Sequence, residues 1–144
     1  MIVDIISDFS VETAAAWQRG KKDSRPEHNN DNDLAEVPPL KTKLALHYDT
    51  QMLFGTLEWI HSENADNVDV AAGEKALSGW DVVNFRGGWN YKMLTLNVGV
   101  ENIFDRRYAV ANSYEWDVVS GSGANPAIVY EPGRFFYASI SCEF

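Results

Sequence analysis

Alternation of apolar and polar residues with a period of two is the feature that most limits this sequence. Successive side chains on a strand point to opposite faces, so such a segment reads as a strand with one face covered and one face in a polar medium. In 40–49 the apolar set is Leu40, Leu44, Leu46 and Tyr48, with Lys41, Lys43 and His47 opposite. In 51–62 it is Leu53, Gly55, Leu57 and Trp59, opposed by Thr56 and Glu58. In 80–91 it is Val83, Phe85, Trp89 and Tyr91, opposed by Asn84, Arg86 and Asn90. The cleanest is 93–101, where Leu94, Leu96, Val98 and Val100 interleave with Thr95, Asn97, Gly99 and Glu101. The last, 134–144, sets Phe136, Ala138, Ile140, Cys142 and Phe144 against Tyr137, Ser139, Ser141 and Glu143.

The segment 9–17 admits two readings. Ser10 as a cap before Ala14, Ala15 and Ala16 suits a helix; by twos, Phe9, Val11, Thr13, Ala15 and Trp17 share one face. The downstream pattern favours strand, for about six strands in all. Connections near 49–50 and 91–92 have hairpin length, whereas 20–39, 63–79 and 109–132 are long and polar. Short turns alternating with long loops describe an up-and-down antiparallel sheet. Two-residue turns would oppose Leu46 to Leu53, Trp89 to Leu94 and Lys41 to Glu58, and each hairpin would keep its apolar residues on a common face.

A run of about 18 apolar residues, needed for a membrane-spanning helix, is absent, and 45% hydrophobic content is too high for a disordered chain. A net charge of −9 argues against a nucleic-acid partner. One cysteine, Cys142, permits no intrachain disulfide. The start Met1-Ile2-Val3-Asp4 has neither the basic region nor the cleavage site of a signal peptide. A soluble sandwich would bury the apolar face; an outer-membrane barrel would turn it to lipid. Charges at Lys43, Glu58, Arg86 and Glu101 on the polar face, with Trp17, Tyr48, Trp59, Trp89, Tyr91 and Phe144 toward strand ends, match a barrel with aromatic girdles. Six strands do not close one, since the smallest barrels have about eight. The expectation is therefore a partial barrel, a sheet completed by another chain, or a soluble sheet.

Val98-Gly99-Val100-Glu101-Asn102-Ile103-Phe104-Asp105-Arg106-Arg107-Tyr108 resembles the penultimate-strand motif of TonB-dependent outer-membrane receptors. Glu131-Pro132-Gly133-Arg134-Phe135-Phe136-Tyr137 is similar to their closing strand, and Val37-Pro38-Pro39-Leu40 and the segment from Gly79-Trp80 to Trp89 to the elements before it. The resemblance covers nearly the whole chain and implies the last strands of a transmembrane barrel of the 22-stranded type. It further implies an outer-membrane location, uptake of a scarce ligand such as an iron-siderophore complex, haem, cobalamin or copper, and dependence on TonB through a plug domain. No plug domain or TonB-contact box is found within residues 1–144, which thus read as a partial barrel.

Within that reading, Phe136, Ile140 and Phe144 resemble the signal read by the barrel-assembly machinery; the plain alternative is a strand that simply ends there. Asn102, Phe104, Asp105 and Tyr108, with Pro132, Gly133 and Arg134, read as structural: Asn102 and Asp105 are suited to bond local backbone where the strand leaves the sheet, and Pro132-Gly133 to launch the last strand. Arg106 and Arg107 lie at the rim, where lipopolysaccharide phosphates are an alternative partner. Tyr114, Trp116 and Tyr130 either grip a ligand or pack their loop. The Gly121-Ser122-Gly123 run lacks the Lys-Ser/Thr of a phosphate loop. His28, Asp31, Asp33 and Glu36 lack the glycine and terminal glutamate of a calcium loop and read as a solvated acidic loop. His47 and His61 fall on different faces. Cys142 reads as a buried or lipid-facing small hydrophobe.

No catalytic constellation, metal site or cofactor motif is present, so no enzyme is expected. The expected partners are outer-membrane lipid, the remaining barrel and plug, the assembly machinery and, through the plug, TonB. A small soluble ligand-binding sheet and a non-functional receptor remnant are the rival readings.

Overall fold

A computed structural model of the chain describes residues 1–22, 33–34, 36–69, 74–111, 114–115 and 127–143. Its strands are β1 (Ile2–Ile6), β2 (Phe9–Ala16), β3 (Lys41–Asp49), β4 (Leu53–Ser62), β5 (Trp80–Tyr91), β6 (Leu94–Glu101), β7 (Tyr114–Glu115), β8 (Ala127–Ile128) and β9 (Phe135–Cys142). Seven form one antiparallel sheet in the order β1-β2-β3-β4-β5-β6-β9, while β7 and β8 pair separately within the last long connection. The sheet is open, with β1 and β9 at its edges. The segment 9–17 is largely strand, as its period-two face suggested. The five-residue β1 adds a strand to the six expected: Ile2-Val3-Asp4-Ile5-Ile6 is nearly unbroken apolar and carries little alternation. It pairs with β2 across the Ser7-Asp8 turn.

Register confirms the faces and corrects the partners. Leu46 lies opposite Leu57, and Lys41 opposite Ser62; Trp89 lies opposite Leu96, and Leu94 opposite Tyr91. In the β3–β4 hairpin the last pair is Asp49 with Phe54. The Thr50 hydroxyl donates to the Leu53 carbonyl at 2.8 Å and accepts from the Leu53 N–H at 2.9 Å, closing a longer loop than a two-residue turn. In the β5–β6 hairpin the turn residues are Lys92 and Met93, with Lys92 at φ 55°. Both shifts are by an even number of residues, so no side chain changes face.

On the apolar face one row runs across the whole sheet: Val3, Val11, Leu46, Leu57, Phe85, Val100 and Phe136. Leu53, Trp89, Leu96 and Ile140 form another toward the short turns. These side chains are exposed or half-buried; Leu57, in mid-sheet, is 48% exposed. Aromatics flank the rows. Phe9 packs on Tyr48 (ring centroids 4.8 Å) and Trp89 on Tyr91 (5.2 Å) at the turn end, and Trp59 stacks on His61 (5.9 Å) toward the other end.

The opposite face is polar through its middle but not throughout. At the end away from the short turns Ile60, Trp80 and Val82 share that face with Lys43 and Ala45. Trp80 and Val82 are buried there, as are Leu77 and Ala109 from the long connections. This small core escaped the periodicity reading, because Trp80 and Val82 sit on the face that is polar from Asn84 onward.

Candidate functional site

Connections 17–40, 63–79 and 102–134 all leave the same end of the sheet, where Lys41, Ser62 and Trp80 lie abreast. Below them on the polar face runs a ladder of charges. Lys43 Nζ lies 2.7 Å from Glu12 and 3.8 Å from Glu58, and Arg86 lies 3.5 Å from Glu58. The Asn84 amide donates to Glu58 at 3.1 Å, and His47 bridges Thr56 (3.0 Å) and Glu12 (3.3 Å). Alternating signs on neighbouring strands satisfy one another, so the face stays polar without an unpaired charge among these residues.

The ladder leads into the base of the last connection. Asn84 Oδ1 accepts from the Asn102 N–H at 2.9 Å. Asn102 is buried, with φ 51°, a left-handed conformation that asparagine adopts at low cost. Its amide holds Arg106 twice, accepting from the N–H at 2.8 Å and donating to the carbonyl at 2.8 Å, and it also donates to the Pro132 carbonyl at 3.3 Å. Asp105, at φ 55°, accepts from the Arg134 N–H at 2.8 Å. A Cβ on Gly133 would stand 2.6 Å from Asp105 Oδ1, so only glycine leaves room for that carboxylate. Asn102, Asp105, Pro132, Gly133 and Arg134 thus meet in one place, whereas Phe104 projects outward, 75% exposed.

Beyond this junction lies a cleft of about 340 Å³, whose lining includes Gly79, Trp80, Arg106, Arg107, Tyr108 and Tyr130. Tyr108 packs on Trp80 with ring centroids 4.4 Å apart, and Lys41 Nζ sits 5.5 Å from the Trp80 ring centre. The Arg107 guanidinium lies 3.9 Å from the Tyr130 ring centre. Burial, reinforced by the Glu131 and Glu101 carboxylates, pushes the Tyr108 phenol above its ordinary pKa. Cations and aromatic faces side by side suit a planar anion, by stacking and charge together. Neither Trp80 nor Tyr108 was expected to line a cleft. The Val82–Trp89 alternation places Trp80 on the polar face, and that parity is the signal that would have found it.

The other two long connections are tied to each other. Glu74 accepts from the Glu36 N–H at 2.6 Å and the Asp69 N–H at 2.7 Å, and Lys22 pairs with Asp69. Asp33 forms a bridge with Lys21; His28 and Asp31 lie outside the described residues. Among the described residues no three His, Cys, Asp or Glu side chains are grouped to hold a metal ion. His47 and His61 lie on opposite faces, and Cys142 is exposed on the apolar face opposite Leu94. Of the expected ligand-facing aromatics, Tyr130 reaches the cleft, Tyr114 belongs to β7, and Trp116 lies outside the described residues. Phe136 and Ile140 are exposed on the apolar face of β9; Phe144 lies outside the described residues.

Comparison with known proteins gives a consistent answer. Residues 5–103 match the family described as TonB dependent receptor-like, beta-barrel. The ferric enterobactin receptor of Pseudomonas aeruginosa is 35% identical over 82 residues, which are 56% of this chain and 11% of that receptor. The TonB-dependent heme receptor A of Haemophilus influenzae is 26% identical over 130 residues, 79% of this chain and 17% of that protein. Among solved structures, the copper transporter OprC superposes with a TM-score of 0.77 at 20% identity, covering 99% of this chain and 21% of its own. The ferric enterobactin receptor of P. aeruginosa does so at 0.65 and 18%, with the same coverage. The chain therefore spans about a fifth or less of the length of these relatives. They are receptors and a transporter, not enzymes.

Proposed function

The chain belongs to the TonB-dependent receptor β-barrel family, and on that premise we propose that it supplies strands and extracellular loops to an outer-membrane receptor that takes up a metal chelate or haem-like compound. One observation supports this above the others: the sheet is inside-out relative to a water-soluble one, with apolar rows exposed and charges paired on the opposite face. In a barrel the first face meets lipid and the second the lumen. A soluble sheet leaves the exposed rows without a reason.

The remaining barrel and a plug complete the receptor in this reading, and TonB acts through the plug. The open edges of β1 and β9 fit it, since unpaired backbone in lipid costs several kcal/mol per group. The cleft of Trp80, Arg106, Arg107, Tyr108 and Tyr130 faces the ligand, and Tyr114 and Trp116 of the same connection are further candidate ligand contacts from their residue type. Anionic, planar chelates are the class it suits. The β9 pattern of Phe136 and Ile140, continued to Phe144, serves as the assembly signal by strand pairing with the insertion machinery.

The test is uptake by source cells with and without the gene, energised and de-energised, using ferric catecholate, haem and copper as probes. Gene-dependent, energy-dependent uptake of one of them is expected; gene-independent uptake of all three overturns the proposal. Deleting Phe144 is expected to lower the inserted fraction, and unchanged insertion removes the assembly role.

A further inference from the structure

The last long connection leaves the sheet after Glu101 and returns at Phe135. Its two legs, 102–108 and 130–134, are cross-linked four times: from Asn102 to Pro132, from Arg134 to Asp105, from the Glu131 N–H to the Tyr108 carbonyl at 2.9 Å, and by Arg107 over Tyr130. One residue joins this set to the sheet and to both legs at once, through its backbone N–H to the sheet and its side-chain amide to the legs. The Asn102 backbone N–H is held by Asn84 on β5, its amide ties Arg106 on the outgoing leg, and the same amide reaches Pro132 on the returning leg. Next to it the Ile103 N–H donates to the Val83 carbonyl at 2.9 Å, so the outgoing leg stays anchored to β5 after β6 has ended.

We propose that Asn102 is the positioning residue of this loop: its amide fixes the spacing of the two legs and thereby holds Tyr108 against Trp80 and Tyr130 under Arg107 at the mouth of the cleft. Chemistry singles out asparagine. The position needs a left-handed backbone, one acceptor for the Arg106 N–H and a donor for two carbonyls. Aspartate lacks the donor, glycine lacks the side chain, and most other residues adopt φ 51° only at a cost and offer no short amide there. The inference deepens the reading of the cleft as ligand-facing. Its test uses no ligand, so failure of that reading and failure of this inference are distinguishable.

The experiment measures the distance between spin labels at Val110→Cys and Val129→Cys in the intact protein in outer-membrane vesicles, with Cys142→Ser removing the exposed thiol. Heat-modifiable gel mobility reports barrel assembly in parallel. With Asn102 present a single narrow distance distribution is expected. Asn102→Gly, which keeps the backbone conformation and removes the amide, loses the narrow peak while assembly is retained. Asn102→Asp, which keeps the acceptor for the Arg106 N–H and removes the donor to the Arg106 and Pro132 carbonyls, loses it too. A narrow peak in Asn102→Gly overturns the proposal, because backbone conformation alone would then set the loop. A narrow peak in Asn102→Asp overturns the role of the Pro132 contact. Loss of assembly in Asn102→Asp also overturns it, since a residue needed to build the barrel does more than position its loop.

Discussion

The two faces of the seven-stranded sheet are written on the same strands in alternate residues, yet they obey opposite rules. On one, Leu57, Phe85, Val98 and Phe136 are exposed and linked only by packing. On the other, Glu12, Lys43, Glu58, Asn84 and Arg86 are linked by ion pairs and hydrogen bonds, and the Glu58 side chain is only 12% exposed. A water-soluble domain hides its apolar atoms and shows its charges. The inversion supports the proposed placement of the apolar face against hydrocarbon. It also says that polarity inside is kept by pairing across strands and not by water alone.

Adjacent substitutions test that contrast most sharply. Val98→Arg, on the lipid side near mid-strand, is expected to cost roughly 2–4 kcal/mol of assembled stability. Its neighbour Asn97→Arg, on the lumen side, should change stability by no more than about 0.5 kcal/mol. Denaturant titration of the protein in bilayers, followed by heat-modifiable mobility, reads both; equal costs would abolish the assignment of faces. Next in size is Glu58→Ala, which strips the Asn84 amide of an acceptor and leaves Lys43 and Arg86 with one carboxylate fewer. A loss of about 1–3 kcal/mol is expected for a part-buried hydrogen-bonded charge, and the same titration with Glu58→Gln should recover part of it through the bond to Asn84.

Glycines offer a smaller comparison within the polar face. A Cβ on Gly88 would stand 2.4 Å from the backbone carbonyl of Leu96, whereas the atoms nearest to one on Gly99 all belong to the Tyr137 side chain. Gly88→Ala should therefore cost on the order of 1–3 kcal/mol, and Gly99→Ala less, because the ring is free to lift into the lumen. The smallest effect concerns Tyr108. Its phenol is held neutral by burial, so the folded pKa lies above the unfolded one; that stabilisation is present below about pH 10 and is lost as pH rises through the folded value. Phenolate absorbance is expected to appear later for Tyr108 than for exposed tyrosines, and Tyr108→Phe should remove that late step.

Much of the sheet was legible because its signal is local. In Leu94-Thr95-Leu96-Asn97-Val98 each residue's face follows from its neighbour's, and hairpin register errors of two or four residues leave those faces unchanged. The β1 strand was not legible, since Ile2–Ile6 has almost no alternation to read. Trp80 and Val82 were read with their strand but not as a core, because the buried Leu77 and Ala109 that line the same cleft as Trp80 come from the long connections before and well after it in the chain.

The junction at Asn102 marks the boundary between the two kinds of knowledge. That Asn102 and Asp105 suit backbone bonding at the end of a strand follows from short polar side chains whose bonds close within a few residues. That one amide also reaches Pro132, 30 positions on, depends on how the returning leg crosses the sheet end. Local alternation was enough to place β3, β4, β5, β6 and β9 and to assign their two faces, because alternation is set by backbone sterics between adjacent residues. The tertiary structure decided which side chains meet across strands and loops, because those distances depend on turn lengths and chain returns that no local pattern encodes.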